Sequence, residues 1–144
     1  MCTFERRKRF TSAECVCLVR DQLLTSAREQ TAELVAYCFM PDHLHALVEG
    51  CSETSDLIRM ASVFRRRSGL RCRRQSGSSL WQEGYYDRVL RDDESTYDVA
   101  SYIIGNPVRA GLCQDVTAYA YSGSDRYSLV DVAAMVQWKP RSLG

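Results

Sequence analysis

Hydrophobic and polar positions divide this chain into short patterned stretches with polar breaks between them. Val16, Val19, Leu23 and Ala27 recur at helical spacing. They follow Thr11-Ser12-Ala13-Glu14, which matches a capping box with Thr11 as N-cap, so a helix is expected over about 11–29. Residues 34–40, Leu-Val-Ala-Tyr-Cys-Phe-Met, form an apolar run of strand length, and 43–48 read as a second strand. Pro41-Asp42 between them is turn chemistry, because Pro presets φ and Asp bonds nearby backbone. Leu57, Ile58, Ala61 and Phe64 make the apolar stripe of a second helix that starts after the polar residues 52–55. Residues 80–90 read as a strand with an irregularity at Gly84. Acidic residues at 92–94 suit a helix N-terminus, and that helix runs to about Gly105, where Asn106-Pro107 ends it. The apolar positions of 129–138 form a short helix or strand, and no internal repeat is present.

At 144 residues, one domain spanning 1–144 is expected, with 125–144 as a C-terminal extension. Hydrophobic content of 45% and charged content of 26% are those of a soluble globular protein. No run of 18 apolar residues exists and the first residues lack an apolar signal segment, so no membrane span is expected and a cytoplasmic location is. The 7 cysteines are scattered without zinc or disulfide spacing and read as reduced small hydrophobes.

Net charge of +1 conceals a division. Residues 10–58 carry a net −6, whereas 59–91 carry +7. Seven arginines, Arg59, Arg65, Arg66, Arg67, Arg71, Arg73 and Arg74, fall in 16 positions with no acidic residue among them. Most such runs are solvated helix faces. Guanidinium groups unable to pair with one another nevertheless favour contact with a phosphate backbone.

The only two histidines are His43 and His45. On a strand they face the same way, with Cα atoms roughly 7 Å apart, while Leu44 faces the core. Two neutral imidazoles so placed can share a divalent cation. A histidine pair on a strand is more commonly a surface or core feature. Confinement of histidine to this one place raises the metal reading.

The segment Tyr-Cys-Phe-Met-Pro-Asp-His-Leu-His-Ala-Leu-Val over 37–48 resembles the histidine–hydrophobe–histidine signature of single-tyrosine transposases, the IS200-like and REP-associated tyrosine transposase group. Residues 102–112, Tyr-Ile-Ile-Gly-Asn-Pro-Val-Arg-Ala-Gly-Leu, resemble that family's second signature. Weaker likenesses lie at 81–88, with Trp81-Gln82 and Tyr86-Asp87-Arg88, and at 121–124.

The resemblance implies an α+β, ferredoxin-like antiparallel sheet with helices packed on one face. Its first strand is expected to be central and to end near Cys2-Thr3-Phe4, which leaves only three or four residues for it here. The resemblance also implies Tyr102 as nucleophile and His43, His45 and Asn106 as ligands of Mg²⁺ or Mn²⁺. The substrate implied is single-stranded or hairpin DNA, cleaved and rejoined through a 5′-phosphotyrosine, with a homodimer as one possible assembly. Asp42, Glu49 and Asp87 are candidate bases on position, and Trp81, Tyr85 and Tyr86 are candidate base-stacking residues. Two other classes stay open: a nucleic-acid-binding module without chemistry, and a metal-dependent hydrolase using a water.

Overall fold

A computed structural model describes residues 1–138, the side chains of 135–138 excepted. The chain forms α1 (Ala13–Glu29), β1 (Ala32–Met40), β2 (His43–Gly50), α2 (Leu57–Ser76), α3 (Thr96–Ile104), α4 (Asn106–Arg109), β3 (Ser122–Gly123) and α5 (Leu129–Trp138), with short 3-10 turns between them. The three strands form an antiparallel sheet in the order β2-β1-β3.

β1 and β2 are a hairpin that starts from Met40 paired with His43. The two-residue turn is held from outside. Thr3 N–H donates to the Asp42 carbonyl at 3.0 Å and Phe10 N–H to the Pro41 carbonyl at 3.0 Å. A register shift between Leu34 and Ala36 places Val35 and Ala36 toward the same core, after which strict alternation resumes. The expected first strand is present in reduced form. Met1 exchanges backbone hydrogen bonds with Leu44 at 2.7 and 2.8 Å, and Cys2 and Thr3 bridge His43 on one side and Trp81 on the other. Its residues therefore lie between β2 and Trp81.

Alternation along the strands feeds two cores. Leu34, Phe39 and Leu44 pack under α1 and α2 with Val16, Val19, Phe64 and Leu80. This is the expected helical face. The opposite face is covered too: Val35, Cys38 and Met40 pack against Ala100 and Ile104 of α3 and Val132 of α5. The shorter helices are there because β1 is apolar on both faces, and a strand so composed must be buried on both.

Two local expectations need correction. Ser12, not Thr11, caps α1 by accepting from Cys15 N–H at 3.3 Å; Thr11 belongs to the preceding turn, which delivers buried Phe10 to the core. Helix α2 runs through Gly69, Arg71, Arg73 and Arg74 to a left-handed Gly77 at φ 75°. Residues 80–90 are not a strand: only Trp81 is paired, and Tyr86 and Val89 are almost fully exposed. The edge offered by the first residues ends when Phe4–Arg6 turns away, so the later residues have no strand to join. The C-terminal apolar stretch is helical over Leu129–Trp138; residues 139–144 lie outside the described part.

Candidate active site

The tight turn dictates where the histidines stand. Leu44 is buried toward α1 and α2, which turns His43 and His45 to the opposite face, where α3 lies. Their ring centroids are 4.8 Å apart and nearly perpendicular. Asp42, in the turn itself, holds His43 Nδ1 through Oδ1 at 2.7 Å, while its Oδ2 meets Arg6 Nε at 3.0 Å. Burial pushes the Asp42 carboxyl up, but the His43 bond and Arg6 outweigh it and keep the group below its ordinary range. With Nδ1 engaged, the His43 tautomer that leaves Nε2 as a lone pair is favoured. His45 is driven down to about 4, by partial desolvation first and then by His43, the chain's amino terminus and Arg109. It is therefore neutral at physiological pH, the form in which imidazole binds a cation.

The other half of the site is on α3 and α4. Ser95 caps α3 through Asp98 N–H at 3.3 Å. Pro107 does not simply end the helix. It occupies the first turn of α4, where a missing N–H costs nothing, so the chain resumes helical form after a break at Gly105. That break fixes Arg109 against the preceding helix. The Arg109 guanidinium lies 3.8 Å from the Tyr102 ring centroid, donates to the Tyr102 carbonyl and donates to Asn106 Oδ1 at 3.1 Å. Tyr102 is 62% exposed, and its hydroxyl makes no hydrogen bond among the described residues. The histidine pair and the Asn106 amide oxygen are chemically suited to a divalent ion. Asn106 Oδ1 retains a second lone pair beside the one Arg109 uses.

The family description "Transposase IS200 like" matches residues 1–106, through both histidines, Tyr102 and Asn106. The chain belongs to the IS200-like transposase family. A putative REP-associated tyrosine transposase of Haemophilus influenzae is 33% identical over 120 residues, covering 70% of this chain and 66% of that protein. A REP-associated tyrosine transposase of Escherichia coli is 24% identical over 109 residues, covering 73% and 62%. The chain thus spans just under two thirds of each relative's length. A REP-associated tyrosine transposase solved with a REP hairpin aligns with a TM-score of 0.70 at 19% identity, over 84% of this chain and 71% of that one, and shares its fold.

Within this IS200-like fold the arginine-rich segment is divided. Arg65, Arg66 and Arg73 line one groove. Arg67 instead pairs with Glu29 of α1 at 2.7 Å, which ties the two helices. Arg59, Arg71 and Arg74 are exposed elsewhere along α2 and do not line that groove. Of the candidate stacking residues, Trp81 belongs to the core: its indole N–H donates to Ser68 Oγ at 2.9 Å and its ring packs on Phe10 and Phe64. Tyr85 lies under Arg65 and Tyr86 projects into solvent. Two candidate bases are already committed, Asp42 to His43 and Glu49 to Arg126 at 2.8 Å near the far end of β2. Arg109 had no role in the sequence reading. Its three-residue spacing from Asn106 carries a signal only if the two share a helix, and the helix end expected at Asn106-Pro107 conceals that they do.

Proposed function

We propose that this chain is a transposase or nickase that cleaves and rejoins hairpin-associated single-stranded DNA through Tyr102. The observation that carries this reading is Arg109, which grips Tyr102 and Asn106 together while its charge is felt at His45. The proposed nucleophile and the proposed third ligand are thus held by one guanidinium, next to a helix that packs on the sheet face where His43 and His45 stand. The solved relative with a REP hairpin supports hairpin DNA as the substrate class.

The Tyr102 oxygen attacks a backbone phosphorus. A Tyr–O–P bond forms, the bond to the 3′ oxygen breaks, the phenolic proton is lost, and the leaving 3′ oxygen takes up a proton. The product is a 5′-phosphotyrosine, whose reversal by another 3′-OH joins strands. Mg²⁺ or Mn²⁺ held by His43, His45 and Asn106 would supply Lewis-acid polarisation of the phosphate. Asp42 keeps His43 oriented for that task. Arg109 restrains an otherwise exposed tyrosine ring, which lowers the freedom lost in reaching the in-line geometry.

The test is end-labelled single-stranded hairpin DNA incubated with protein and Mn²⁺ and resolved on denaturing gels, beside Tyr102→Phe and His43→Ala. The expected result is a covalent protein–DNA adduct in the wild type and in neither variant. Cleavage that survives Tyr102→Phe would point to a hydrolase using water. Binding without cleavage across a hairpin panel and both metals would leave a nucleic-acid-binding module.

A further inference from the structure

The groove between α2 and residues 79–85 has a volume of about 650 Å³ and lies outside the histidine–tyrosine site. Arg65, Arg66 and Arg73 line it, and no carboxylate does. Ile58 and Leu70 also face it and remain 79% and 49% exposed. Cationic groups beside uncovered apolar surface are matched by a ligand with an anionic backbone and a flat apolar face. An isolated phosphate would leave the apolar part uncovered, and a hydrocarbon would leave the cations unpaired.

Arg65 sharpens this. It donates to the Gln82 carbonyl at 2.6 Å and lies 5.0 Å from the Tyr85 ring centroid, yet its Nε is buried without a hydrogen-bond partner. These contacts commit Arg65 to the wall of the groove and leave Arg66 and Arg73 as its exposed cations. Arg66 and Arg73 are seven positions apart on α2, two turns or about 10.5 Å along its axis. That separation leaves room for a base between guanidinium groups that hold the phosphates on either side of it.

We propose that this groove is a subsite for one unpaired nucleotide of the DNA, with its base against Leu70 and Tyr85 and its phosphates on Arg66 and Arg73. The proposal rests on DNA being the substrate, as argued above, but not on Tyr102 chemistry. A base pair inside a duplex does not offer a free face, so the subsite separates unpaired from paired DNA.

The experiment measures binding to a blunt DNA duplex and to the same duplex with a three-nucleotide overhang, 5′ in one arm and 3′ in the other. Each overhang carries 2-aminopurine as a fluorescent base. The expected result is about tenfold tighter binding of one overhang duplex than of the blunt one, with quenched 2-aminopurine fluorescence. Leu70→Ala, at an exposed position and without a change of charge beside Arg66 and Arg73, removes that preference and the quenching while leaving blunt-duplex affinity within about twofold. Tyr85→Ala weakens the quenching as a second check. Equal affinity for blunt and overhang duplexes in the wild type overturns the proposal. So does an equal loss on both duplexes by Leu70→Ala, which would mark a general loss of binding and not contact with an unpaired base. An adduct assay on the same preparations keeps the two readings apart. Overhang preference without adduct refutes cleavage and preserves the subsite, and adduct without preference does the reverse.

Discussion

His45 has a proton-binding behaviour that differs between the folded and unfolded chain. Unfolded, it takes up a proton near 6.5; folded, not until about 4. Between those values the unfolded state binds more protons. The sign is therefore that stability is full above about pH 6.5 and declines as pH falls toward 4. The urea midpoint should be lower at about pH 4.5 than at pH 7, and His45→Gln should flatten that difference. Asp42 acts on the neighbouring ring. Asp42→Asn leaves the turn chemistry but weakens the grip on His43 Nδ1, and Mn²⁺ affinity measured by calorimetry should fall about 10- to 100-fold. At this scale the sequence was informative about the groups that differ chemically from their surroundings. Two histidines and one signature tyrosine stand out in any chain. Arg109 did not, because one more arginine among many has no mark until its guanidinium is seen over Tyr102.

Helix α3 carries the tyrosine, and Ser95 anchors its first turn. Ser95→Ala should destabilise the protein by about 1 kcal/mol in thermal or urea unfolding. It should also slow adduct formation, because fraying begins less than two turns from Tyr102. Helix α2 ends where Gly77 takes a left-handed conformation in open space. Gly77→Ala meets no atom, so its cost is backbone strain alone, about 1 kcal/mol. The elements with strong internal pattern were legible: α1 and the hairpin follow from apolar spacing and from a Pro-Asp turn. Residues 80–90 were not, since Trp, Tyr and Val favour strands only where a partner edge exists, and Phe4–Arg6 removes that edge. Asn106-Pro107 predicts a helix end because proline disfavours helix at the residue before it. Pro107 instead stands in the first turn of α4, where its missing N–H has no helical partner to lose, and Gly105 stays right-handed.

Across the whole molecule, charge is segregated by segment, −6 over 10–58 and +7 over 59–91. DNA affinity should therefore fall steeply with salt although the net charge is only +1. Arg66→Gln should weaken all DNA binding and reduce the slope of log affinity against log salt by about one contact, read by fluorescence anisotropy in a salt series. Charge runs were visible in the sequence, but their division among a groove, an ion pair with Glu29 and open solvent depends on helix phase against α1, which no local pattern encodes. Assembly belongs to this scale as well. Helix α3 packs, within one chain, on the sheet face where His43 and His45 stand, so the tyrosine should serve its own histidines. Mixing Tyr102→Phe with His43→Ala protein should then restore no adduct.

The Arg109 contacts also have a consequence for descent. A copy that loses Tyr102 keeps a guanidinium with no platform beneath it, and a copy that loses Arg109 leaves the tyrosine and Asn106 unrestrained. On the proposed reading, positions 102, 106 and 109 should therefore be inherited as one unit, kept together in mobile copies and drifting together in immobile ones.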